Sequence, residues 1–183
     1  MPFRSRFPAA ALACLLALWL ASCASAPRDH DATPRAVVVL SFDGLPAGTI
    51  GDGSMPTLDA LARTGVHAQW LVPSFPTLTF PNHYTLATGL RPDHHGIVGN
   101  YLRDAAFGAY HSKRNGPEGR WYGGEPIWAT LQRQGGRGAA LAWVGGQDPQ
   151  DPRAPAWMAP FDADRSITAH VDQVLAWLDL PPG

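Results

Sequence analysis

Two side chains in this 183-residue sequence pair a hydroxyl with a carboxylate, Thr79 and Asp43. Thr79 stands in Pro76-Thr77-Leu78-Thr79-Phe80-Pro81-Asn82-His83. Pro81 has a fixed φ and no N–H, which suits the first turn of a helix. The hydroxyl is therefore expected where free backbone N–H groups and the helix dipole favour an anion. Asp43 sits in Ser41-Phe42-Asp43-Gly44, directly after an apolar run. A carboxylate at the carboxyl end of a buried strand and a hydroxyl at a helix N-terminus can converge on one crevice of an α/β sheet. A metal ion there would turn the hydroxyl into an alkoxide-like nucleophile.

Each residue also has an ordinary use. Asp before Gly forms turns or caps helices, and Thr at a helix start satisfies an orphan N–H. Around the pair the sequence is locally rich in metal-capable groups, His83, Asp93, His94 and His95. Adjacent histidines rarely face one point, so His94 and His95 read as polar supports of a loop, and His83 as a support behind the ligands. Asn100, closing Gly96-Ile97-Val98-Gly99-Asn100, offers either a turn or an amide donor to a phosphoryl oxygen.

The elements that must hold these groups follow from periodicity. Ala36–Leu40 is a continuous apolar run, the pattern of a strand buried on both faces of a parallel sheet. Pro56–Arg63 has helical spacing, and Val66–Val72 reads as a second strand, giving a right-handed βαβ unit. His83–Thr88 continues as a short helix closed by Gly89. Residues 91–124 read as an irregular excursion over the active face, the kind of long loop that is often functional. Glu125–Gln134 predicts a helix, Gly138–Val144 a third buried strand, residues 146–165 a loop, and Ser166–Leu180 an amphipathic helix with Ile167, Val171, Val174, Leu175 and Leu178 on one face. The class is α/β, with three strands, few for a sheet meant to carry two metals.

Composition narrows the partners. A formal net charge of −1 provides no basic field for nucleic acid. Residues 1–22 read as an export signal, with Arg4 and Arg6 ahead of an apolar stretch. The tetrapeptide Leu20-Ala21-Ser22-Cys23 resembles a bacterial lipobox, which would make Cys23 the acylated first residue of a lipoprotein anchored to a membrane and facing the periplasm or the surface. Residues 23–35 then form a polar, proline-containing tether, and the domain occupies 36–183. The other cysteine, Cys14, lies in the apolar stretch, so the domain has neither a disulfide framework nor a thiolate metal site.

Taken in order, Val38–Leu45, Pro56–Ala62, Val72–Leu90, His95–Asn100 and Gly123–Trp128 resemble the nucleotide pyrophosphatase/phosphodiesterase family, type I phosphodiesterases of the alkaline phosphatase superfamily. The resemblance implies an alkaline-phosphatase-like, doubly wound, mostly parallel sheet, incomplete in this chain. It also implies zinc-dependent hydrolysis of nucleotide phosphodiester or pyrophosphate bonds, with two zinc ions and a covalent phospho-threonine intermediate. Carried over by position, Asp43 is a zinc ligand, Thr79 the zinc-activated nucleophile, and Asn100 the donor to a non-bridging phosphate oxygen. Phe80 is a wall of the nucleotide pocket, or loop packing.

The remaining ligands of such a site would lie further along. Asp162, Asp164, His170 and Asp172 do not resemble the family's ligand motifs and are not assigned. The expectation is a truncated chain, inactive alone. The competing readings are a non-catalytic lipoprotein remnant and a superfamily relative acting on phosphomonoesters or lipid headgroups.

Overall fold

Helix-forming stretches bounded by Gly and Pro dominate the computed structural model, which describes residues 36–111 and 118–181. Its elements are helices α1 (Pro56–Thr64), α2 (Thr79–Thr88), α3 (Pro92–His95), α4 (Ile127–Arg133) and α5 (Ile167–Leu178), with strands β1 (Tyr101–Asp104), β2 (Gly108–His111), β3 (Ala139–Leu141) and β4 (Trp157–Ala159). All lie in one compact unit, Val38–Gly183. The expected signal, Cys23 and the tether fall outside the described residues.

The predicted helices form, with shifted ends. α1 begins on Pro56, and α2 starts at Thr79 rather than His83 and ends on Gly89, whose φ of 68° accepts the left-handed closing turn. α5 is capped by Ser166, whose Oγ accepts from the Ala169 N–H at 3.1 Å. The excursion is partly regular: β1 and β2 make an antiparallel hairpin, with Tyr101 opposite His111 and Asp104 opposite Gly108.

The parallel pairing appears in one place among the described residues, between β3 and β4, with Ala139 opposite Trp157 and Leu141 opposite Ala159. β4 lies inside the stretch expected to be a loop. Its prolines mask a strand of three residues, too short for alternation to show.

Two expected strands are corrected. Residues 36–40 and 66–72 form no strand among the described residues, with Val37 86% and Val66 104% exposed. A β-branched run gains burial only when a sheet accepts its N–H and C=O groups, and no described strand does so here. The apolar face of α5 is likewise open at Ile167, Val171, Leu175 and Leu178.

The core sits behind α2 and is aromatic. Tyr84, Tyr110, Trp121, Tyr122 and Trp128 are buried together with Ile97 and Val144. Tyr84 meets Tyr122 edge-on at 4.9 Å, and the Tyr110 and Tyr122 hydroxyls share a hydrogen bond of 2.8 Å. Burial pushes the Tyr84 phenol up to about 12 and raises Tyr110 and Tyr122 as well, so all three stay neutral. Arg153 ties down the loop that carries Trp121 and Tyr122. It donates to the Tyr122 and Gly124 carbonyls at 2.7 Å each and is held by Asp151 at 2.7 Å.

Gly145 closes this core. Its φ is 81°, and a Cβ there would lie 2.5 Å from Tyr84 Cε2 and 3.1 Å from Tyr122 Cδ1. Backbone strain and overpacking each cost about 1–3 kcal/mol. Gly145→Ala is therefore expected to lower unfolding free energy by at least about 2 kcal/mol, read from urea denaturation followed by tryptophan fluorescence.

Candidate functional site

A hydroxyl needs an acceptor for its proton before its oxygen can attack, and Thr79 has one. Its Oγ1 donates to Asp43 Oδ2 at 2.9 Å, across 36 positions of sequence. Thr79 is the first residue of α2, where Leu78 is the cap and no side chain caps the helix. The hydroxyl therefore faces the carboxylate instead of serving as a helix cap.

Asp43 reaches this position from the exposed segment 36–44, which turns at Gly44 (φ 70°). Beyond the turn, buried Asp59 of α1 accepts from the Gly51 N–H at 2.7 Å and fixes the loop that follows. Asn100 comes from the loop after Ile97. Its Oδ1 accepts from the Phe80 N–H at 3.1 Å, which consumes a free donor at the start of α2 and leaves the amide NH₂ for other acceptors. Thr79, Asp43 and Asn100, from separate stretches of sequence, thus meet at one helix N-terminus. Phe80 is half-buried and leans on the core, with its ring 6.4 Å from that of Tyr110.

The segment leading into Thr79 is shaped by a residue that pattern reading passed over. Asn82 Oδ1 accepts from the Ser74 N–H at 2.7 Å, and its Nδ2 reaches the carbonyls of Ser74 (3.2 Å), Pro76 (3.0 Å) and Leu78 (3.0 Å). One amide therefore satisfies a bend that has no ladder of its own. An open groove of about 990 Å³ borders this bend, lined by Phe75, Leu78, Arg91, Val98, Asn100 and Tyr101 among others.

The three histidines take different places. His95 is fully buried: Ile97 N–H donates to its Nδ1 at 3.2 Å, so the hydrogen sits on Nε2, which meets the Thr85 hydroxyl at 3.0 Å. Burial holds its imidazole below the ordinary value of 6.5. His94 is exposed, with Nε2 3.7 Å from an Asp93 carboxylate oxygen. His83 Nε2 meets the Ser41 hydroxyl at 2.9 Å, and its Nδ1 meets the Thr79 carbonyl at 2.8 Å.

Among the described residues no group of three or more His, Cys, Asp or Glu side chains gathers to hold a metal ion. Asp43 and Thr79 suit one corner of a divalent-cation site, a carboxylate and a hydroxyl oxygen in contact, but two donors fall short of the four that hold zinc in structural sites. No described helix is long and apolar enough to cross a membrane.

The family model described as type I phosphodiesterase / nucleotide pyrophosphatase matches residues 37–182. An uncharacterised pyrophosphatase/phosphodiesterase of Schizosaccharomyces pombe is 39% identical over 149 residues, covering 79% of this chain and 31% of its own length. A venom phosphodiesterase of Crotalus durissus collilineatus is 36% identical over 161 residues, 85% of this chain and 19% of its own. Mouse ectonucleotide pyrophosphatase/phosphodiesterase 5 superposes with a TM-score of 0.72 at 28% identity, over 78% of this chain and 39% of its own; an inactive form in complex with AMP matches equally. The chain thus spans roughly a fifth to two fifths of these relatives. The α/β architecture they share with it is that of the alkaline-phosphatase-like fold.

Two measurements check the supports. Asn82→Ala removes four hydrogen bonds to the bend and is expected to cost about 2 kcal/mol of stability by chemical denaturation. For His95 the folded state resists a proton that the unfolded chain accepts below about pH 6.5. Its contribution is complete above that pH and is lost as pH falls toward the depressed folded value. The melting temperature is expected to drop between pH 7.5 and 5.5 by scanning fluorimetry, and to drop less in His95→Asn.

Proposed function

The chain belongs to the type I phosphodiesterase / nucleotide pyrophosphatase family, and from that premise we propose that it carries the nucleophile half of a site that hydrolyses phosphodiester or pyrophosphate bonds of nucleotides. The observation that carries this reading is the 2.9 Å hydrogen bond from the Thr79 hydroxyl to Asp43 at the start of α2, with Asn100 pinned beside it. An AMP-bound relative of similar fold supports a nucleotide substrate.

In this reading Thr79 Oγ1 attacks phosphorus. Its proton leaves along the existing bond toward Asp43, a new P–O bond to threonine forms, and the P–O bond to the leaving group breaks. Water then attacks the phospho-threonine, frees the product and restores the hydroxyl. The Asn100 NH₂ donates to a non-bridging oxygen, and the N-terminal dipole of α2 favours the charge that gathers there. Phe80 is proposed as a wall of the nucleotide pocket. Zinc, the metal the family resemblance implies, would be held at Asp43 and Thr79; when bound, such an ion lowers the pKa of a coordinated oxygen and neutralises phosphoryl charge.

Relatives named for venom or for the cell exterior support an exported protein. The N-terminal lipobox-like stretch supports anchoring through Cys23 in the periplasm or at the surface.

The test is hydrolysis of a nitrophenyl ester of thymidine monophosphate with added zinc, by a chain extended to the length of its relatives. Thr79→Ala is expected to abolish nitrophenol release, and full retention of activity would overturn the role. Asn100→Ala is expected to lower kcat by about 10²–10³-fold, the usual loss for one donor to a developing oxyanion.

A further inference from the structure

Thr79 and Asp43 are useful together only while their separation is held, and they lie on segments that share no sheet among the described residues. Segment 36–44 is exposed and without strand partners there, so backbone pairing does not place Asp43. Other contacts must. A direct one between the two segments, apart from the reactive pair itself, is the imidazole of His83.

Its donor pattern is fixed by its neighbours. The Thr79 carbonyl can only accept, so the 2.8 Å contact requires hydrogen on Nδ1. In the neutral ring Nε2 is then an acceptor, and the Ser41 hydroxyl at 2.9 Å donates to it. The ring cannot swing freely between these ends. Trp143 lies edge-on at 5.8 Å, and its Nε1 donates to the His83 carbonyl at 3.2 Å. One end of the imidazole therefore touches the backbone of Thr79, and the other the residue two positions ahead of Asp43.

We propose that His83 is a positioning residue for the phosphoryl-transfer site: a rigid strut from the Thr79 carbonyl to Ser41 that sets the distance between hydroxyl and carboxylate. It touches neither substrate nor reacting atoms. Ser41 is the far anchor of the strut, and its loss should be equivalent to the loss of the histidine's outer nitrogen. The proposal rests on the phosphodiesterase reading for its purpose, and on geometry alone for its existence.

The two are tested separately. In the folded 183-residue chain at neutral pH, ¹⁵N NMR of the His83 ring is expected to show the Nδ1–H tautomer; an Nε2–H tautomer would overturn the strut. Ser41→Ala, at an exposed position, removes one contact. His83→Asn keeps a donor near the Thr79 carbonyl but cannot reach Ser41. Each is expected to shift the backbone amide signals of Asp43 and Gly44, and the double variant to shift them no further than either single one; additive shifts would contradict a shared strut. These readouts need no turnover, so their failure is distinguishable from a failure of the hydrolase reading. In the nitrophenyl ester assay, each single variant is expected to lower kcat about tenfold to a hundredfold at unchanged KM, the cost of a misplacement near 1 Å. A rise in KM at unchanged kcat would mean that the contact serves substrate binding instead.

Discussion

The hydrogen bond from Thr79 to Asp43 is the constraint around which the described structure is organised. It joins a helix start to an exposed segment, and among the described residues neither end is secured by a sheet. Each is therefore fixed by side chains reaching across to backbone: Asn82 folds the approach to Thr79, Asn100 takes the Phe80 N–H, and Asp59 secures the loop beyond Asp43. This is costly local design. Every one of these polar groups must find its partner, because a buried donor or acceptor left unpaired costs more than a made bond contributes.

Behind the polar shell stands a rigid aromatic base. Tyr84 of α2 is packed between Tyr122 and His95, so the helix that presents Thr79 cannot shift without repacking three rings. Arg153 extends the same logic, binding carbonyls of the 119–124 loop so that Trp121 and Tyr122 stay seated. Tight packing transmits displacement, which is why a change at Gly145, away from the hydroxyl, bears on the site.

Much of this was legible from residue types. Helices α1, α2, α4 and α5 follow from apolar spacing and from Pro and Gly at their ends, and the place of Thr79 follows from helix-start logic, whereas Asp43 meets it without the strand end that was expected to carry it. The strands were less legible. Residues 36–40 and 66–72 carry β-branched composition, yet strand formation depends on neighbours that no local pattern reports. β4 was hidden by its brevity and by Pro155 and Pro160 on either side of it. Asn82 and the Ser41–His83 contact had no signal either, since an amide or imidazole that bonds to backbone at a distance has no fixed spacing in sequence.

The most direct measurement is mass spectrometry of the chain, extended to the length of its relatives and quenched in acid during turnover of the thymidine nitrophenyl ester. A nucleotidyl group is expected on the peptide carrying Thr79, and it should be absent from Thr79→Ala. Nitrophenol release in which no peptide of the wild-type chain carries the group, or carries it elsewhere than on Thr79, would contradict the assignment of that oxygen as nucleophile.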